Sequence, residues 1–173
     1  MAEDVLEPEY EGIIRNTLIE DLKDAGADKI AILYDERNFI QNSKRIKQDS
    51  SYSKYFEGPA IIVYNNEEFS DADWKGIRRI GTSIKKLDPS KVGRFGLGFK
   101  SVFHITDYPM IISGRLLMII DPYRDETRCC IPLELSKLKL YSGMNECYKA
   151  LFQVFDFGQN VIDAGYYNGT IFR

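Results

Sequence analysis

Apolar residues recur at helical spacing at Tyr10, Ile13, Ile14, Leu18, Leu22 and Ala25, and Gly26 ends the pattern, which predicts an amphipathic helix over Pro8 to Ala25. Asp21 falls inside the apolar stripe, with Thr17 four residues before it and Asp24 three after it on the same side. A carboxylate in a core-facing stripe is costly unless paired; the alternative is a solvated edge of a surface helix. Lys29 to Tyr34 and Ala60 to Tyr64 are short β-rich runs and read as strands. Ser70 is placed to cap a helix whose acidic first turn, Asp71 and Asp73, suits the positive end of its dipole. Trp74, Ile77 and Ile80 give that helix an apolar stripe, which assigns Trp74 to core packing.

Thr82 to Val92 is polar and carries Lys85, Lys86 and Lys91, so residues 82–92 read as a mobile lid. Phe99 to His104 reads as helical. Strands follow near Met110 to Ser113 and Leu116 to Ile120, joined by a tight turn at Ser113-Gly114-Arg115. Asn145 to Phe155 is expected as a helix and Gly169 to Arg173 as a last strand. Asn38 to Tyr55 and Asp121 to Arg128 read as polar insertions. No repeat or low-complexity tract interrupts the chain.

The chemistry with the clearest outline is Gly93-Arg94-Phe95-Gly96-Leu97-Gly98-Phe99, glycines in a G-x-x-G-x-G spacing that run into a helical segment. Without Cβ atoms, successive backbone N–H groups can converge on an anion, and a helix N-terminus adds unpaired donors, so the loop suits a phosphate. A plain Gly-rich connector has the same spacing.

Composition narrows the choices. The 173 residues, 44% of them hydrophobic, fit a single domain over 1–173. The net charge is −3, with both signs interspersed, so the basic footprint of a nucleic-acid protein is missing. The absence of a long apolar run argues against a membrane partner, and the acidic start, without a signal-peptide pattern, makes the cytoplasm the expected compartment. Cys129, Cys130 and Cys147 are odd in number and lack C-x-x-C spacing, against a disulfide framework or a zinc site. The lone histidine, His104, is assigned a structural role. The chain ends on its last strand, and an excised piece of a longer protein is expected.

The order helix, strand, Asn-rich turn, helix, glycine loop and Gly-Thr strand resembles the GHKL ATP-binding (Bergerat) fold of gyrase B, MutL, histidine kinases and the ninety-kilodalton heat-shock chaperone. One branch is closer. Asp24-Ala25-Gly26-Ala27, Tyr34-Asp35-Glu36, Val63-Tyr64-Asn65-Asn66, Phe69-Ser70-Asp71, the stretch Lys91 to Phe99, and Tyr167-Asn168-Gly169-Thr170-Ile171-Phe172-Arg173 resemble a sacsin repeat ATPase-like domain across nearly the whole chain. The resemblance implies an α+β fold: a two-layer α/β sandwich with helices on one face of a mixed sheet.

It also implies a site. In active GHKL enzymes a glutamate on the first helix activates water and an asparagine four residues later helps hold Mg2+; the corresponding positions here are Thr17 and Asp21. Threonine cannot take up a proton near neutral pH, so no catalytic residue stands at the expected base position. Glu20 lies about 100° away around the helix from Asp21 and is a poor substitute. Asp21 is a hard oxygen ligand suited to Mg2+, and Asp24 matches the family's aspartate. The adenine anchor, Asp-x-Gly-x-Gly in the family, reads Asn65-Asn66-Glu67-Glu68-Phe69, without the charge and without the glycines. The phosphate cradle, Gly93 to Phe99, is intact, and Gly169-Thr170 matches the terminal Gly-Thr element.

The implied cofactor is ATP or ADP with Mg2+, weakly bound or lost, with little hydrolysis. The implied role is a chaperone-type module of a large co-chaperone, with client proteins or the seventy-kilodalton heat-shock system as partners. An active Mg-dependent ATPase and a pseudo-ATPase interaction scaffold are the alternatives.

Overall fold

The computed structural model describes residues 26–39, 50–83, 101–125, 127–155 and 159–173. Six strands form one sheet: β1 (Ile30–Asp35), β2 (Ala60–Asn65), β3 (Met110–Gly114), β4 (Leu116–Ile120), β5 (Cys130–Glu134) and β6 (Tyr167–Phe172). Their spatial order is β1-β2-β6-β3-β4-β5. The last strand in the chain thus lies between the β1–β2 pair and the β3–β4–β5 meander. Four helices accompany them among the described residues: α1 (Ser50–Ser53), α2 (Asp71–Ser83), α3 (Ser142–Gln153) and α4 (Gln159–Ala164). Lys54–Phe56, Ser101–His104 and Leu135–Leu140 form 3-10 turns.

Alternation along the strands sorts the apolar side chains into two cores. On one face, Ile62, Met110, Ile112, Leu117, Ile119, Tyr167 and Ile171 pack with Tyr55, Phe56, Leu135 and Leu138, with Tyr148, Leu151 and Phe152 of α3, and with Ile162 of α4. On the other, Ile111, Met118 and Ile120 pack under Trp74 and Ile77 of α2. The expected α+β sandwich is therefore formed, with two differences in detail. Helices flank both faces of the sheet and not one, because β3 and β4 carry buried apolar side chains on both faces, with Ser113 the one polar side chain among them, and both faces need cover. All five pairings among the described strands are antiparallel where a mixed sheet is expected.

The start of α2 follows its sequence closely. The Ser70 hydroxyl and backbone N–H both donate to the Asp73 carboxylate, at 2.6 and 2.8 Å, and the Asp73 N–H donates back to Ser70 Oγ at 3.3 Å. This reciprocal cap satisfies donors that a bare helix end would leave open. The segment read as a polar insertion before β2 is not peripheral: its end forms α1 and a 3-10 turn, with Tyr55 and Phe56 only 1% exposed. Strand β5 and helix α4 are additions to the sequence reading. The strand near Lys29 to Tyr34 runs Ile30–Asp35, and the last begins at Tyr167, two residues earlier than expected.

Candidate functional site

The register of the central strands brings three polar residues into one row. Asn65 on β2 pairs with Thr170 on β6, and Thr170 pairs with Ser113 on β3. Residues directly opposite in antiparallel pairs share a face, so the row lies on the α2 side of the sheet. Gly169 lets β2 and β6 close here. Its φ is +132°, and a Cβ would stand 2.7 Å from the Asn65 carbonyl oxygen and 3.0 Å from Tyr64 Cε2.

The loop after β2 is pinned to this row. Thr170 Oγ1 donates to the Glu67 carbonyl at 2.7 Å, and the Phe69 N–H donates to Ser113 Oγ at 2.8 Å. Ser113 Oγ and Thr170 Oγ1 are 2.9 Å apart. Both hydroxyl side chains are buried. Phe69 stands edge-on to Trp74 and to Phe172, with ring centroids 5.1 and 5.8 Å away, so the loop's apolar end sits in the second core. Glu68 meets the Tyr166 hydroxyl at the rim, and that contact holds the phenol above its usual range.

The two asparagines differ. Asn66 Oδ1 accepts from the Asp28 N–H at 3.2 Å and the Lys29 N–H at 2.8 Å, while its Nδ2 donates to the Asp28 carboxylate at 2.8 Å. Both acceptor lone pairs are thereby occupied, and the side chain works as a bracket between the entry to β1 and the exit of β2. Asn65 Oδ1 accepts from the Glu67 N–H at 3.0 Å, an Asx turn that leaves one lone pair on that oxygen. Asn65 Oδ1 thus keeps acceptor capacity, and Asn66 Oδ1 has none to spare in this arrangement. Glu67 and Glu68 are exposed beside it.

Thr17, Asp21, Asp24 and the cradle Gly93, Arg94, Phe95, Gly96, Leu97, Gly98 and Phe99 lie outside the described residues, as do residues 84–92 of the expected lid. Of the expected site, Asn65, Asn66 and Thr170 are therefore placed, and two of them share one row. Ser113, in the row, and Asp28, in the Asn66 bracket, escaped the sequence reading. The only available signal was that Ser113 breaks an apolar strand.

A second polar cluster sits at the end of β4. Asp121 is fully buried and accepts from Lys54 Nζ at 2.7 Å and the Tyr55 hydroxyl at 2.8 Å, and Arg124 Nε lies 3.3 Å away. Burial pushes its carboxyl up, but the Lys54 and Tyr55 hydrogen bonds, the Lys54 charge and the Tyr123 amide together hold it below the usual range. The carboxylate is fully partnered, which marks a tie between the 3-10 turn at Lys54–Phe56 and the sheet. Among the described residues no group of three or more His, Cys, Asp or Glu side chains is arranged to hold a metal ion. The three cysteines are free thiols. No helix among the described residues is long and apolar enough to cross a membrane.

An α+β sandwich with a pinned loop beside a Gly-Thr strand defines the class of domain, and comparison with known proteins defines its family. The Sacsin domain model matches residues 4–173, and the chain belongs to that family. It is 38% identical over 167 residues to human sacsin, covering 94% of this chain and 4% of that protein. It is also 31% identical over 88 residues to Protein NO VEIN of Arabidopsis thaliana, covering 46% of this chain and 3% of that protein. The chain therefore spans only a few hundredths of the length of the relatives it matches.

Proposed function

We propose that this domain is a chaperone-type module of a sacsin-like co-chaperone, acting in the cytoplasm with weak or lost ATP binding and little hydrolysis. Membership of the Sacsin domain family supports the module. The observation that carries the nucleotide half of the reading is the Asn66 bracket: both lone pairs of its carbonyl oxygen are taken by the Asp28 and Lys29 amides. An adenine arriving at that position would have to break hydrogen bonds already made within the protein, each worth about 0.5–1.5 kcal/mol. Asn65 keeps one acceptor, without the charge of an aspartate, so residual affinity is modest. Thr17 at the base position argues in the same direction for hydrolysis.

In this reading ATP or ADP with Mg2+ is a dispensable ligand, Asp21 is the residue that would take the metal, and Gly93 to Phe99 would take the phosphates. Client proteins or components of the seventy-kilodalton heat-shock system are the partners the fold would contact. Calorimetric titration of the chain with Mg-ATP and Mg-ADP tests the claim, and a dissociation constant of about 1 mM or weaker is expected. Saturable micromolar binding that disappears in Gly96→Ala, together with phosphate release, would overturn it in favour of an active ATPase.

A further inference from the structure

Five tyrosines form a continuous ladder, and its middle three rings pack with the core on the side of the sheet away from α2. Ring centroids step from Tyr141 to Tyr52, Tyr55, Tyr108 and Tyr123 at 6.0, 6.2, 5.3 and 5.9 Å. Tyr55 is buried at the centre, while Tyr141 and Tyr123 at the two ends are 39% and 70% exposed, and Leu140 beside Tyr141 is 79% exposed. The rings are braced. Lys54 Nζ stands 5.0 Å from the Tyr55 centroid and 4.7 Å from that of Tyr108, Asp121 anchors this ammonium, and Asp107 accepts from the Tyr123 hydroxyl at 3.2 Å. Rigid aromatic side chains held in this way lose little freedom when a partner docks.

We propose that this strip is a docking groove for a proline-rich segment of a partner protein, bound as a polyproline II helix. Three observations choose that occupant. The outer pairs, Tyr141–Tyr52 and Tyr108–Tyr123, are inclined at 59° and 58°, so neither pair stacks flat and each leaves a wedge-shaped notch between two rings. A pyrrolidine ring is a rigid apolar body suited to such a notch, and proline-rich segments dock in aromatic-lined grooves. The notches also repeat. Their inner rings, Tyr52 and Tyr108, lie no further apart than the 6.2 and 5.3 Å steps through Tyr55 placed end to end, and a polyproline II helix presents the same edge every three residues, about 9.3 Å. Finally, the strip carries hydroxyl donors among its apolar rings. A polyproline II helix has no internal hydrogen bonds, so its carbonyls are open to those donors, whereas an α-helix has already paired its own. The groove lies on the opposite side of the sheet from the row of Asn65, Thr170 and Ser113, so its occupancy is independent of nucleotide.

Titration of the whole 173-residue chain with a dodecaproline peptide, without nucleotide, tests it by calorimetry and tyrosine fluorescence, with a glycine-serine peptide of equal length as the control. Saturable binding of dodecaproline and not of the control is expected, weakened by about tenfold or more in Tyr123→Ala and in Tyr141→Ala. Both rings are exposed, so both variants should keep the parent's urea midpoint. Should either lose it, dodecaproline-induced shifts of the Tyr52, Tyr108, Tyr123 and Tyr141 amides in the nitrogen-15 NMR spectrum of the parent are read by the same criterion. No saturable response of a folded chain at about 1 mM dodecaproline overturns the proposal. So does binding that both substitutions leave unchanged, or equal binding of the glycine-serine peptide. A dimer in sedimentation that Tyr123→Ala abolishes overturns it as well, by assigning the strip to a second copy.

Discussion

Ser113 is the donor and Thr170 the acceptor in the hydroxyl pair beneath the loop after β2. Thr170 has one hydroxyl proton, and it is directed at the Glu67 carbonyl, 2.7 Å away. The 2.9 Å contact with Ser113 can therefore form only if Ser113 gives its proton. Ser113 Oγ in turn accepts from the Phe69 N–H. A directed relay runs from the Phe69 amide through two buried hydroxyls to the Glu67 carbonyl, and it holds both ends of one short loop.

Removing either hydroxyl should loosen that loop. Thr170→Val keeps the shape and leaves the Glu67 carbonyl without this donor; a loss of about 1–3 kcal/mol in urea unfolding is expected. Ser113→Ala is expected to cost a similar amount, and the double variant should lose less than the sum because the two act in one relay. Additive losses would show that the hydroxyls work independently.

Gly169→Ala should be among the most damaging single-atom changes in the chain. The backbone at φ +132° disfavours any side chain, and the new methyl would meet the Asn65 carbonyl oxygen at 2.7 Å. A loss of about 2–4 kcal/mol, read as a fall in the urea midpoint, is expected from strain and overpacking together.

Asp121 gives the domain an acid limit. Its carboxyl lies below the ordinary value of 3.8 in the folded protein, so its stabilisation is complete above that value and is lost as pH falls through the folded value. Lys54 runs the other way. Burial pushes its ammonium down most, but the Asp121 hydrogen bond and the neighbouring charges of Tyr55, Asp121 and Tyr108 together raise it, and its contribution is complete below 10.5 and lost as pH rises through the folded value. Asp121→Asn should therefore cost about 1–3 kcal/mol near pH 7, with the gap to the parent narrowing below the ordinary carboxylate range. Urea unfolding at a series of pH values measures the gap, and a gap independent of pH would rule the carboxylate out as its source.

The thiols should be slow to react. Burial pushes Cys147 up to about 12, and burial together with neighbouring Cys129 does the same for Cys130. Since the thiolate is the reactive form, alkylation of both near pH 8 should be slower than that of an unfolded control by roughly a thousandfold. Rapid labelling of Cys147 in the native state would show that its helix opens readily.

Local rules carried much of the fold. Ser70 and Asp73 announced a helix start that the structure builds atom by atom, and the turn at Gly114, with φ +56°, lies between two strands read from their apolar runs. What stayed hidden was non-local. Strand β5 contains Pro132, which argues against a strand by composition, but at the sheet's edge a missing N–H is tolerated. Asp121 heads a polar stretch, and nothing in its neighbours says that Lys54 and Tyr55, more than sixty residues earlier, will come to meet it. Asn66 was legible as part of a motif, while its use as a bracket depends on Asp28, 38 residues away.

The position of β6 between β2 and β3 sets a rule for how the domain can be made. Emerging from a ribosome, the chain delivers first the β1–β2 pair, then the β3–β4–β5 meander, and these two pieces share no strand pairing. They can only be joined when the final strand slots between them, bridging partners that are distant in sequence, a long-range closure of the kind that slows folding. Until then both pieces present an open strand edge, at which a strand of another chain could take the vacant place.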